Sequence, residues 1–495
     1  MTQDTAVIPA YPDYEMVIGL EVHAQVSTAS KLFSGASATY GAEPNTQACH
    51  IDLAMPGMLP VPNKGVIDAG VKLGLAIGAQ VEGTSVFARK NYYYPDLPQG
   101  YQISQYDKPI VREGEVSIEL EDGTTKTIGI ERMHLEQDAG KSIHDLGAET
   151  VSHVDLNRSG VPLMEIVSKP ELASPEEAGA YMKKLRAILR FLEVCDGNME
   201  QGSLRCDANV SVRKKGDTKL GTRCEIKNLN SIRNVMRAIA HEAQRQCDVL
   251  EDCGQIVQET RLWDANKNET RPMRGKEDAH DYRYFPDPDL LPVYVSPERI
   301  EQIRQQMPEL PDDLKQRFIS DYGLNTYDAS VLTMSKTDAA FFEEMLAFEG
   351  GQPQRDPKLC ANWLTVELFG ALNKMGLELA ESPVTPQQLG QLVGMIEDET
   401  ISGKIAKQVF ADMLETGHDP AKIVEDKGLK QVTDTGAIEQ MVADVLAANP
   451  DNVAAYKGGN ERIFGFFVGQ VMKASQGKAN PQVVNDILKQ KLGEA

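Results

Sequence analysis

The sequence predicts an α+β protein: an antiparallel-sheet-rich N-terminal domain, an all-α helical domain, and a small helical C-terminal tail. Three observations predict it. Up to about Pro292 the chain is cut into short alternating segments separated by turn signals such as "EDGT" and "RSGVP". From about Val295 the texture becomes helical, beginning in "SPERIEQIRQQMPELPDDLKQRFISDYG", and no strong strand pattern follows. The length, 495 residues, suits roughly three domains of ordinary size, each able to bury a core without disulfides. We place them at residues 1–294, 295–424 and 425–495.

The first clear element is the strand "IGLEVHAQV", Ile18 to Val26. A two-residue period puts Ile18, Leu20, Val22, Ala24 and Val26 on one face and Gly19, Glu21, His23 and Gln25 on the other. A polar face turned to water is the ordinary explanation, and one Glu-x-His carries little weight against it. A helix follows over "GVIDAGVKLGLAIGAQ". The run "RKNYYYPDLPQGYQISQY" then combines Arg89, Lys90, four tyrosines through Tyr101, and Asp96 with turn-forming Pro and Gly. Tyrosines packed in a loop are common; such a loop can also stack a base and hydrogen-bond sugars or phosphates.

Three more strands repeat the polar face. "GIERMHLEQDAG" sets His134, Glu136 and Asp138 together, "SLRCDANVSVR" sets Arg205, Asp207 and Asn209 together, and "RCEIKN" sets Arg223, Glu225 and Lys227 together. Between them "SPEEAGAYMKKLRAILRFLEVC" reads as a helix, with Ser174 as N-cap, Pro175 in the first turn and Glu177 three residues on. In the helical half, "ESPVTPQQ" and "ETGHDPAKIVEDKG" are candidate boundaries. The end reads as a helical hairpin, "ERIFGFFVGQVMKAS" and "NPQVVNDILKQKL", with Asn480 capping and Pro481 opening the second helix.

Composition narrows the class. Seven cysteines without a C-x-x-C pair argue for reduced thiols, and neither a signal sequence nor a membrane-length apolar run is present, so a cytoplasmic protein is expected. A net charge of −22 opposes indiscriminate nucleic-acid binding, so any such contact must be local. The region from Arg462 to the end inverts the balance, with five basic residues against two acidic, and supplies Lys473, Lys478 and Lys489 as candidate RNA contacts.

Faces that only meet water are usually filled with Lys, Glu, Thr and Gln. Here they are dense in short acids, Asn, His and Arg. If the strands share a sheet, like charges converge, and either cross-strand salt bridges or a divalent cation must hold them. Carboxylates with water suit magnesium, with His23 binding through a water or orienting a carboxylate. Two motifs fail: "AGKS" has Leu135 where a phosphate-binding loop needs glycine, and "CHID" lacks a second cysteine partner.

At this point "VIGLEVHAQV", "RKNYYYPDLPQGYQISQ", "VDLNRSGVPLMEIVSKP", "MEQGSLRCDANVSVR", "EIKNLNS" and "DYRYFPDPDLLP", with "GKIAKQVF" and "VGQVMKASQGKANPQ" near the end, resemble the signatures of the B-subunit family of glutamyl/aspartyl-tRNA amidotransferases over essentially the whole chain. The resemblance implies a catalytic "cradle" domain, a helical domain and a tail that touches tRNA. It implies ATP-dependent phosphorylation of the side-chain carboxylate of Glu-tRNA(Gln) or Asp-tRNA(Asn), followed by displacement of phosphate by ammonia. Carried over, Glu21, His23, Glu136 and Glu225 form the metal and phosphate site, Glu200 is a weaker candidate, and Lys227 joins the catalytic set. Arg205, Asp207 and Asn209 line the same surface, while Lys90, Tyr92, Tyr94 and Asp96 border the nucleotide or the tRNA 3′ end.

The implied cofactors are ATP and magnesium. The implied partners are an amidase-type glutaminase (the A subunit), which supplies ammonia because no glutaminase signature is present here, and a small third component (the C subunit) that completes a heterotrimer. Cys49 and Asp52 stand where some members carry a cysteine pair, which argues against a structural zinc. No inserted synthetase-like domain is present, which disfavours the archaeal glutamine-only relative. The competing reading is a tRNA-binding scaffold without catalysis of its own, which needs no acids on strand faces and should be more basic than −22.

Overall fold

The computed structural model describes residues 7–8, 10–143, 152–274, 281–349, 352–431, 435–475 and 478–493. The extreme N-terminus read for a targeting signal, and Gln476 and Gly477 of the terminal hairpin, lie outside them. The fold is α+β, with two compact units, residues 1–310 and 311–495.

The first unit is built on an eleven-stranded sheet. Its centre is β1, Tyr11–Gln25. A small separate sheet carries the hairpin β2, Phe87–Asn91, and β3, Tyr101–Gln105. The large sheet continues with β4, Thr125–Gln137, β5, Pro162–Ser168, β6, Leu204–Lys214, β7, Cys224–Leu229, β8, Thr260–Asp264, and β9, Glu269–Arg274. Across it the order runs β9-β8-β7-β6-β1-β5-β4, and then two short strands at 111–112 and 80–81. Only β7 and β8 pair in parallel along this path; the other pairs are antiparallel.

The alternation expected of β1 is what fixes this order of layers. Ile18, Leu20, Val22, Ala24 and Val26 are all buried on one face. Helices α1, Lys64–Ala76, α2, Pro175–Phe191, and α3, Ile232–Glu251, supply apolar side chains to the same core. At about 25 cal/mol per Å² of apolar surface, this burial dominates the unit's stability. The caps agree with the sequence: Ser174 Oγ accepts from Glu177 N, and Glu177 reaches back to accept from Ala173 N.

Texture and compactness change at different residues. Helices do begin after Val295, with α4, Pro297–Gln305, but α4 still belongs to the first unit, where Arg299 Nε donates to Asp68 of α1 at 3.1 Å. The second unit is predominantly helical and contains a π-helical segment at Trp363–Leu368. Its last part, within the segment expected as a tail, packs α5, Thr435–Ala448, α6, Phe464–Ala474, and α7, Pro481–Gly493, around Phe467, Val471, Val484 and Leu488. Asn480 caps α7, its Oδ1 accepting from Gln482 N and Val483 N. Among the described residues no helix is long and apolar enough to cross a membrane.

Candidate active site

The face of the large sheet opposite its core carries the chemistry. Antiparallel pairing sets Glu165 of β5 directly beside His23 on one side and beside His134 on the other. On the far side of β1, Arg205 lies across from His23 and Asp207 across from Glu21. Asn209 lies across from Glu225 of β7. One strand register therefore delivers acids and imidazoles from β1, β4, β5, β6 and β7 to a single surface.

The centre is tight. His23 Nε2 stands 3.4 Å from Glu165 Oε2, 3.6 Å from Glu21 Oε1 and 4.0 Å from Glu136 Oε1. His134 Nε2 stands 3.4 Å from Glu165 Oε2 and 3.7 Å from Glu136 Oε2. Glu136, His134 and Glu165 are buried. Burial disfavours a charge on His134, but Glu165 and Glu136 outweigh it and push the imidazole up to about 9. Burial and the neighbouring Glu165 raise the carboxyl of Glu21. Glu165 is held well below the usual carboxylate range: the cost of burial is exceeded by the two histidines.

A cationic rim surrounds this centre. Lys90 projects from β2; burial opposes its charge, but Glu136, Tyr284 and Glu165 reverse the effect and hold the ammonium charged. Its Nζ lies 5.0 Å from the Tyr282 ring centroid and 5.9 Å from that of Tyr92, close enough for cation–π attraction. Lys227 bridges Asp207 at 2.6 Å and Glu225 at 3.0 Å, and Thr260 donates to the other oxygen of Glu225 at 2.8 Å. Arg205 is held by Asp138 at 2.7 Å, and Gln25 donates to that same carboxylate oxygen.

The expected residues are thus distributed unevenly. Glu21, His23 and Glu136 meet in one cluster, while Glu225 sits in an ion pair with Lys227 beside it. Tyr92 donates to Gln102 and packs edge-on against Tyr94, which is exposed. Asp96 uses its backbone oxygen to accept from Gly140 N. Glu200 lies exposed in the turn before β6, and Lys473 and Lys489 are exposed on the terminal helices with Lys478 half-buried.

Two residues absent from the expected site stand at its centre: Glu165 and His134. The donor atoms of Glu21, His23 and Glu165, and those of His134, Glu136 and Glu165, each lie within 4.8 Å of one another, so either set could hold a cation, with Glu165 common to both. His134 Nδ1 is buried without a hydrogen-bond partner. Mixed carboxylate and imidazole donors, crowded enough to raise Glu21, fit a divalent cation.

Comparison with known proteins gives the family. The GatB/GatE catalytic domain matches residues 16–301, and the GatB domain matches residues 340–492. Proteins named as the B subunit of aspartyl/glutamyl-tRNA(Asn/Gln) amidotransferase are similar over nearly their full length. That of Alkalilimnicola ehrlichii is 61% identical over 480 residues, covering 97% of this chain and 99% of the relative. That of Paramagnetospirillum magneticum is 59% identical over 480 residues, covering 97% and 98%. That of Halorhodospira halophila is 58% identical over 479 residues, covering 97% and 99%. The chain belongs to the family of amidotransferase B subunits, and the buried acid–imidazole cluster lies inside its catalytic domain.

Proposed function

We propose that this chain phosphorylates the side-chain carboxylate of Glu-tRNA(Gln), Asp-tRNA(Asn) or both, at the expense of ATP, and that ammonia then converts the acyl phosphate to the amide. The observation that carries this reading is the convergence of Glu21, His23, His134, Glu136 and Glu165 on one surface, with Lys90 against it. A carboxylate is a poor electrophile until it becomes an acyl phosphate. In the first step its oxygen attacks the γ-phosphorus and ADP leaves; in the second the ammonia nitrogen attacks the acyl carbon, phosphate leaves with the bonding pair, and the proton shed by nitrogen passes to that phosphate.

Phosphoryl transfer asks for positioning and charge neutralisation more than for a protein nucleophile. Magnesium, held by Glu21, His23, Glu136 and Glu165, supplies neutralisation of the phosphate oxygens when bound. Lys90 and Lys227 add fixed positive charge at opposite margins of the same face. Arg205, Asp207 and Asn209 line the surface between them, and Glu225 orients Lys227. Tyr92, Tyr94 and Asp96 form the border that meets nucleotide or the tRNA 3′ end.

The relatives are named as B subunits, which implies a multi-subunit complex. We assign the ammonia supply to an amidase-type glutaminase partner, with a small third component completing a cytoplasmic heterotrimer. The domain limits 1–294, 295–424 and 425–495 belong to the same reading, with Lys473, Lys478 and Lys489 of the last contacting tRNA. A scaffold without catalysis does not account for buried acids grouped around two histidines.

The test follows the terminal phosphate of ATP onto mischarged tRNA in the complex without an ammonia donor. Labelled acyl phosphate is expected with the native chain, and only background with folded Glu21→Gln or Glu136→Gln chains. Native rates in both variants would favour the scaffold.

A further inference from the structure

The carboxylate of Glu136 is 3% exposed and has one hydrogen-bond donor at close range. Ser104, on β3 of the small sheet, donates its hydroxyl to Glu136 Oε2 at 3.0 Å, while the nearest histidine nitrogens stand 3.7 and 4.0 Å away. Ser104 is 1% exposed, so no bulk water substitutes for it. Its own placement is fixed from both sides. Gln102 Nε2 donates to the backbone oxygen of Gln137 at 2.7 Å, and Gln105 Oε1 accepts from Leu135 N at 3.1 Å. These two contacts rivet β3 along β4 at the residues flanking Glu136.

The geometry has a direction. Oε2 is turned toward Ser104 and His134, which leaves Oε1 as the oxygen facing His23. We propose that Ser104 is a positioning residue: its hydroxyl locks the Glu136 carboxylate so that Oε1 is presented to a divalent cation at the centre. This rests on the cation reading above and adds the residue that orients one of its ligands. Carboxylate ligands are themselves commonly hydrogen-bonded, and loss of such a support typically costs 10–100-fold in metal affinity. A serine that merely fills buried space would lose almost nothing on becoming alanine.

The experiment titrates the full-length chain with Mn²⁺, read by electron paramagnetic resonance of the free ion. Ser104→Ala should weaken Mn²⁺ binding by about 10–100-fold. Ser104→Cys, which keeps the size and a weak donor, should fall between the two and serves if the alanine variant does not fold. Ser117→Ala, at an exposed hydroxyl, should bind as the native chain does. In a Glu136→Gln background Ser104→Ala should add nothing further, because the group it orients is gone. Melting curves in chelator confirm that each variant is folded.

Native Mn²⁺ affinity in folded Ser104→Ala or Ser104→Cys overturns the proposal, as does an equal loss in the Glu136→Gln background. A native chain that binds no Mn²⁺ overturns the cation reading itself, and the role of Ser104 with it.

Discussion

Glu242 and Glu165 are both buried acids in the sheet-rich unit, yet their oxygens meet different company. Glu242, on α3, is fully buried and fully answered. Its Oε1 accepts from Arg245 Nη2 at 2.6 Å and Gln246 Nε2 at 3.0 Å. Its Oε2 accepts from Arg245 Nε at 3.0 Å and Thr270 Oγ1 at 2.8 Å, with Arg261 Nε at 3.3 Å. Glu165 instead shares two imidazoles with Glu21 and Glu136, and its one guanidinium, that of Arg132, stands 3.8 Å away. Burial alone therefore does not mark a functional acid. The mark is a crowd of acids held by titratable imidazoles rather than by paired guanidinium and amide donors, and Glu165 has it while Glu242 does not.

The largest effect expected from this contrast is on folding. Glu242→Ala leaves Arg245 without its carboxylate and Gln246 and Thr270 without their buried acceptor, while Arg261 keeps Glu259, so it should destabilise the protein by roughly 3–5 kcal/mol. Urea unfolding measures this, and Mn²⁺ affinity of the folded fraction should be unchanged. A loss below about 1 kcal/mol would remove Glu242 from the structural side of the comparison.

Glu165→Gln should weigh on the chemistry more than on the fold. It removes, at nearly constant shape, the charge that the two imidazoles hold low, so melting in chelator should fall, but by less than in Glu242→Ala. Phosphoryl transfer to mischarged tRNA should fall by about 10²- to 10³-fold, the scale for losing one preorganised charge-stabilising group. A folded Glu165→Gln chain with native transfer rates would return this acid to the same class as Glu242.

The sequence makes one half of this contrast legible and hides the other. Glu21, His23 and Glu136 are visible because β1 and β4 alternate cleanly near the site, and period two assigns each residue a face. Glu165 is not, because β5 is covered on both faces: in "PLMEIVS" Leu163 and Val167 share the face of Glu165, and the run reads as continuously apolar. A single acid inside such a run was the available signal. Ser104 was hidden differently, since its partner comes from a separate sheet and nothing in "GYQISQ" announces a register between layers. His134 was visible on the face of Glu136, but spacing alone does not tell which member of a polar face meets a neighbour from another strand. The Glu242 network joins α3 to β8 and β9, a tertiary fact without local pattern. Fold class was the easier problem, because alternation and helical texture are repeated over hundreds of residues.

Glu242 and His134 should also fail at opposite ends of the pH scale. Glu242 has a folded-state pKa below the ordinary 4.5: burial raises it, but hydrogen bonds from Arg245 and Gln246 win. Its contribution is therefore complete above pH 4.5 and is lost as pH falls through the folded value. His134 is raised from 6.5 to about 9, so its contribution is complete below pH 6.5 and is lost as pH rises through 9. In metal-free protein, melting temperature should decline between pH 6.5 and 9, and His134→Gln should flatten that window while bringing acid loss to higher pH, because His134 also helps to hold Glu165 low. An unchanged alkaline slope in His134→Gln would show that the carboxylates do not hold a proton on this imidazole.

Tyr181 sharpens the comparison from outside both clusters. Its hydroxyl is buried on α2 without a hydrogen-bond partner, and burial pushes its pKa upward. If an unanswered polar atom were enough to mark function, Tyr181 would qualify as readily as His134, whose Nδ1 is also unpaired. It differs in lacking any crowd of charge, for its ring lies among the apolar side chains of the core. Tyr181→Phe removes a desolvated hydroxyl and keeps the packing, so stability should hold or rise by about 1 kcal/mol. Mn²⁺ affinity and acyl-phosphate formation should match the native chain. A folded Tyr181→Phe protein with impaired transfer would mean that a lone buried hydroxyl does reach the chemistry, and that a crowd of titratable charge is too narrow a criterion for this site.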